Sequence, residues 1–172
     1  PWCYIGLTRF ERALEAFPNK DGVEVTLHSF QLDPSLPDAY DGTETQYLAQ
    51  RKGMPEASVR QMFGHVSEAA ATEGLVMDFD TLAVANSRRA HRLLHAAASA
   101  SPEVAWELKR ALFQAHFTDG ESISDAAVLV RLAVESGLEE AAAREAIESA
   151  ERDAEVAADI DGRCMKCYEM RL

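Results

Sequence analysis

The sequence predicts an α/β chain that is mostly α-helical with few strands, and three observations carry that prediction. Only one stretch, VEVTLHSFQL over residues 23–32, sets β-branched and apolar residues in near-alternation with polar ones, as a strand does. From about Glu44 onward an alanine-rich, acidic pattern of helical period runs almost without a break. That run is punctuated by Gly53, Gly74, Pro102, Gly120 and Gly137, each at a place where a helix end would fall.

Taken in order, Ile5, Leu7, Phe10, Leu14 and Phe17, with charges at Arg9, Glu11, Arg12 and Glu15, describe one amphipathic helix. It should stop at Pro18 and the turn residues Asn19-Lys20-Asp21-Gly22, and it places Cys3 in its first turn. The strand candidate follows, and DPSLPDAYDGT, which holds two of the six prolines, reads as the loop that leaves it. Five helices are then expected over Glu44–Lys52, Pro55–Glu73, Ser87–Ser99, Pro102–Phe117 and Asp125–Glu135, with a sixth, weaker one from Glu139 to about Ala158. Between the second and third of these, GLVMDFDTLAVANS is extended or a loop, and Asn86 or Ser87 can cap the helix after it. The runs Ala69-Ala70-Ala71, Ala96-Ala97-Ala98 and Ala141-Ala142-Ala143 reflect helix propensity, and no internal repeat stands out.

Composition narrows the function classes. A chain of 172 residues has the length of one domain with a sizeable core. A net charge of −12, from 29 acidic and 17 basic residues, repels phosphate backbones and argues against nucleic acid as a partner. No apolar run reaches the length of a membrane span, so no membrane partner is expected. The chain opens without an initiating Met and without the basic and apolar regions of a signal peptide, and it reads as trimmed or internal. Three cysteines, two of them in a C-x-x-C near the end, suit a cytoplasmic redox or metal role better than a secreted disulfide framework.

Five segments in register carry a family resemblance. PWCYIGLTRFERAL resembles C-P-W-C-[YF]-I-G-x-x-x-[FL]-E-x-A-L without its first letter, and FQLDPSLP resembles a strand ending F-x-L-[DN]-P. ANSRRAHRLLHAA resembles N-[ST]-x-x-A-H-R-L-x-x-x-A, LFQAHFTDGESISD resembles L-[FY]-x-A-[YH]-F-x-x-G-x-[DN]-[IL]-x-[DN], and LVRLAVESGL resembles L-x-x-[IL]-A-x-x-x-G-[LI]. These are the marks of the DsbA-like oxidoreductases, specifically the FrnE-like branch, in which a thioredoxin fold is interrupted by a large helical insertion. The resemblance spans residues 1 to about 150. It implies a partial thioredoxin-like half over residues 1–43, the helical insertion over 44–150 and a C-terminal segment over 151–172 that carries the C-x-x-C.

What the resemblance implies about chemistry is thiol–disulfide exchange through a C-P-W-C dithiol of which Cys3 is present. The attacking cysteine would stand before Pro1 and cap the helix, where the macrodipole favours its thiolate. Cys3, one turn in, would resolve the mixed disulfide. Pro1 suits an early helical position where a missing N–H costs nothing, and Trp2 offers an apolar platform beside the sulfurs. No bound cofactor is implied, the partners would be protein or small-molecule thiols and disulfides, and a homodimer is possible. A G-V-P-x-F segment with a cis-proline, which the resemblance also implies, is expected outside this stretch of chain. Two alternatives stand beside this reading. One is a glutathione-dependent kappa-type transferase or 2-hydroxychromene-2-carboxylate isomerase-like enzyme, which the retained P-W-C disfavours; the other is a non-catalytic helical interaction module with a vestigial redox site.

The tail has its own signal. R-C-x-x-C-[YF]-x-x-R-L within DGRCMKCYEMRL is similar to a short segment of the QueH-type epoxyqueuosine reductases. Cys164 and Cys167 at i and i+3 share a helical face beside Arg163, Lys166 and Arg171, which favour thiolates. They read as a second redox pair, a metal half-site or an inert tail, and a complete metal site is not expected. His91 and His95 at i and i+4 could bind metal, yet packing or helix surface is the better reading. His28 should be half-buried and hydrogen-bonded, while His65 and His116 are structural. Glu139, Glu140, Glu145 and Glu148 are solvated; Asp33 and the pair Asp78 and Asp80 could be acid–base groups, but turn and cap roles are the commoner reading.

Overall fold

The computed structural model describes residues 1–38 and 40–169, with side chains through Gly162. It is mostly helical, with eight α-helices among the described residues. They are α1 Trp2–Glu15, α2 Glu44–Lys52, α3 Glu56–Ala71, α4 Arg88–Ala100, α5 Pro102–Phe117, α6 Ala126–Glu135, α7 Glu140–Glu148 and α8 Ala150–Glu169, with a short 3-10 turn at Lys20–Gly22. These residues form two compact units: Pro1–Thr26 with Asp41–Val84 and Phe113–Glu121, and Leu27–Tyr40 with Ala85–Leu112 and Ser122–Leu172.

The first unit is built around α3. Val59, Phe63, Val66 and Ala70 recur at i, i+4, i+7 and i+11, so one stripe of that helix is buried. Ile5 of α1, Phe79 and Leu82 of the loop after α3, and Phe117 at the end of α5 complete the core. Phe63 stacks on Phe79 with ring centroids 4.1 Å apart. α2 starts on a capping box: the Thr43 hydroxyl accepts from the Gln46 amide at 3.2 Å, and the Gln46 side chain accepts from the Thr43 amide at 3.0 Å. It ends on Gly53 in the left-handed region, at φ +63°. The loop from Leu75 to Val84 is tied down by an isolated antiparallel bridge from Ala83 to Thr43 and by Asp78, whose carboxylate accepts from the Asp80 and Thr81 amides. That is the turn role expected of Asp78. Gly120 sits at φ +69° with its Cα so close to Thr81 that an added Cβ would meet the Thr81 carbonyl at 2.9 Å, so both conformation and space demand glycine there.

The second unit packs α4, α6, α7 and α8 with the first part of α5. Leu93, Leu94 and Ala97 of α4, Leu108 of α5, Leu129, Leu132 and Ala133 of α6, and Ala143, Ala146 and Ile147 of α7 form its core. Asn86 organises the entry to α4. Its Oδ1 accepts from the Arg88 amide at 2.8 Å and from the Gln31 side chain at 3.1 Å, while its Nδ2 donates to the Leu36 carbonyl at 2.5 Å. Ser87 holds the N-cap position without a side-chain cap bond, so of the two expected caps it is Asn86 that does the bonding.

Three expectations need correction. The strand over residues 23–32 is not a strand: the backbone runs without a ladder partner among the described residues. Its alternation is real, with Val25, Leu27, Ser29 and Gln31 inward and Thr26, His28, Phe30 and Leu32 outward, but a strand also needs a neighbour to take its N–H and C=O groups. The Asp159 carboxylate takes the Ser29 amide and the His91 ring takes the Phe30 carbonyl instead. Second, the helix expected from Glu139 to about Ala158 is two helices, broken at Ser149, which leaves the helical region at φ −67° and ψ 123°. Ser149 then accepts from the Arg152 amide at 3.3 Å and starts α8. Third, the helix expected over Pro55–Glu73 is shorter at both ends, because Pro55 is extended and serves as the N-cap.

His91 is a buried histidine, 7% exposed, whose Nε2–H donates to the Phe30 carbonyl at 3.1 Å. Burial, with Lys109 close by, pushes its pKa down from 6.5 to about 4. The unfolded chain takes up a proton at about 6.5 and the folded chain does not, so stability is full above that value and falls as the pH drops toward 4. Thermal melts from pH 7.5 to 4 should show a falling Tm and a loss on the order of 3 kcal/mol from this group; replacing His91 by Gln should flatten the profile, and an equally steep profile in that variant would contradict the assignment.

Candidate active site

The site stands at the start of α1, in the first unit. The Pro1 carbonyl accepts from the amides of Tyr4 at 3.0 Å and Ile5 at 3.2 Å, so the first turn closes immediately behind Pro1. Ile5 is fully buried in the core beside α3, and Tyr4 stacks on Phe113 at 5.1 Å and Phe117 at 6.2 Å between centroids. At 100° per residue, burying positions 4 and 5 turns positions 2, 3 and 6 outward. Trp2 is accordingly 58% exposed, and Cys3 is an exposed free thiol. At the other end of the helix Arg9 and Arg12 each reach the Glu73 carboxylate at 2.7 Å, which fixes α1 against the end of α3.

Three further groups surround this helix start, and sequence reading singled out none of them for it. Tyr4 has its phenol pKa raised by burial, with Asp119 and Glu11 adding to the effect. Glu44, the first residue of α2, has its carboxyl pKa raised by burial. His116, near the end of α5, has its pKa lowered by burial, and its Nδ1 is buried with no hydrogen-bond partner among the described residues. At neutral pH it is therefore an uncharged ring. The capping box Thr43-x-x-Gln46 shows that Glu44 opens a helix, but nothing local shows that this helix start and the A-H-F of α5 face Pro1.

The thiol of Cys3 is thus open to solution in the first turn of α1. An exposed thiol is one that a disulfide in solution can reach. Pro1 is the N-cap of α1, and Trp2 and Cys3 stand in its first turn. The Cys164 and Cys167 side chains, and with them the similarity of the tail to a reductase segment, lie outside the described residues. His91 and His95 do not form a metal site: His91 donates to a carbonyl, His95 bonds the Ser29 hydroxyl at 3.0 Å, and no group of three His, Cys, Asp or Glu side chains among the described residues could hold a metal ion. His28 is hydrogen-bonded as expected, donating to Asp159 at 2.7 Å. No described helix is long and apolar enough to cross a membrane.

Since Cys3 is exposed while Ile5 and the aromatic residues behind it are packed, a maleimide should modify Cys3 in the native chain, as located by peptide mass spectrometry. Rates within about an order of magnitude of those in denaturant are expected. Modification only after unfolding would contradict the outward placement of the thiol.

A solved structure, that of a probable DsbA oxidoreductase from Streptomyces coelicolor, superposes on this chain with a TM-score of 0.88. The two are 34% identical over 96% of this chain and 70% of the other. No curated protein matches the sequence. The family model for the DSBA-like thioredoxin domain matches residues 1–164, from the P-W-C at the helix start through to α8. The chain therefore belongs to the DSBA-like thioredoxin domain family, whose fold it shares with a large helical insertion.

Proposed function

We propose that the protein is a thiol–disulfide oxidoreductase that works through a C-P-W-C dithiol, with Cys3 as the resolving thiol. The observation that carries this reading is the exposed Cys3 in the first turn of α1, directly after Pro1 and Trp2, in a chain of this family. A cysteine ahead of Pro1 attacks a substrate disulfide as the thiolate; a mixed disulfide forms and one substrate thiol leaves. The Cys3 thiolate, its proton passed to solvent, then attacks the near sulfur of the mixed disulfide. The intramolecular disulfide forms, the second substrate thiol leaves with a proton, and two electrons have passed from the dithiol to the substrate. The reverse sequence oxidises a substrate dithiol. Trp2, exposed one residue before Cys3, supports protein or small-molecule thiols and disulfides as partners by offering an apolar surface.

In an insulin-reduction assay on the complete gene product, Cys3→Ser should lose turnover by about two orders of magnitude or more and should accumulate the mixed disulfide, which the variant cannot resolve. Equal rates for the variant and the parent would overturn the resolving role. Retained turnover that instead requires glutathione, with glutathione binding independent of Cys3, would favour the transferase reading.

A further inference from the structure

The seam between α4 and α8 is of a different kind from the rest of the second unit. Arg88, Arg92, His95 and Ser99, spaced four, three and four residues apart, form one stripe of α4. Every one of them meets α8. Arg88 Nε and Arg92 Nε both donate to Asp153 Oδ1 at 2.8 Å, and Arg88 Nη2 adds Asp153 Oδ2 at 3.1 Å and the Asp153 carbonyl at 2.9 Å. His95 lies 3.7 Å from Asp159 and 3.8 Å from Glu155, and the Ser99 hydroxyl accepts from Arg152 at 3.1 Å. Asp159 also accepts from His28 Nδ1 at 2.7 Å and from the Ser29 amide at 2.6 Å, so both of its oxygens are used to hold the extended segment. Among the described side chains of α8, Val156 alone is fully buried.

The other helices of this unit are held differently. α6 buries Leu129, Val130, Leu132 and Ala133, and α7 buries Ala143, Ala146 and Ile147. The extended segment has its own ties to α4, through His91 to the Phe30 carbonyl and through Asn86 to Gln31, and these do not involve α8. Among its described side chains α8 thus gives the core one fully buried residue, Val156, and half-buried Ala157 and Ile160, while α6 and α7 give it seven.

We propose that α8 is a charge-latched strap: it is held on α4 by Asp153 and Asp159 and can leave that seam as a unit while the core of α4, α6 and α7 stays folded. The charged bonds of the latch run from Arg88 and Arg92 on α4 to Asp153 on α8, while Arg152 of α8 reaches back to the neutral Ser99 hydroxyl.

Hydrogen exchange followed by mass spectrometry on the full chain tests this. In Asp153→Asn, amides of residues 150–162 should exchange roughly tenfold faster or more, while those of Leu93–Ala97 and Leu129–Ala133 keep their protection. Val156→Ala should speed the same peptide less than Asp153→Asn does, and Asp159→Asn should additionally release the Ser29 amide. Unchanged protection of 150–162 in Asp153→Asn, a larger effect from Val156→Ala, or equal acceleration of all the helices would each overturn the proposal, since each would make α8 an ordinary part of the apolar core.

Discussion

Burying Ile5 is the constraint on which the candidate site depends. Ile5 is the one side chain of α1 that the core encloses completely, and Tyr4 beside it leans on Phe113 and Phe117. A helix that must place those two residues inward has no freedom left over Trp2 and Cys3. The thiol is exposed because its neighbours are buried, and the pair of arginines on Glu73 prevents the helix from rolling about its axis. Packing in the core thereby sets the outward placement of the Cys3 thiol.

The insertion helices do more than fill space around this helix. α2 brings Glu44 and the end of α5 brings His116 to Pro1, and burial keeps both groups toward their neutral forms. Burial thus disfavours charge on two groups beside the start of α1, although the chain as a whole carries −12. In the second unit the logic is reversed. There α4 turns one stripe, Leu93, Leu94 and Ala97, into an apolar core and another, Arg88, Arg92, His95 and Ser99, toward acidic α8.

How much of this was legible in the sequence follows from the range of each signal. α2 and α5 fall where the pattern placed them, because a capping box with a left-handed glycine and a Ser-Pro start are local signals. The break at Ser149 carries neither glycine nor proline, so helical periodicity ran through it. Residues 23–32 show the opposite case: alternation correctly gave the two faces of an extended segment, but a ladder depends on a second segment that local pattern does not supply. At the site, the placement of Pro1, Trp2 and Cys3 on a helix start was readable, as was the family. The meeting of Glu44 and His116 at Pro1 was not, since 44 and 116 are remote in sequence and neither position has a motif of its own.

The central claim is that Cys3 is one half of a dithiol and not a lone surface thiol. A redox titration of the complete gene product in glutathione buffers, with acid quenching, alkylation and disulfide mapping, tests it directly. The account predicts that Cys3 is lost to alkylation as a two-electron couple, about 30 mV per tenfold change in equilibrium constant, and is recovered in a disulfide with a cysteine immediately ahead of Pro1. Cys3 remaining free to alkylation across the whole series would contradict it.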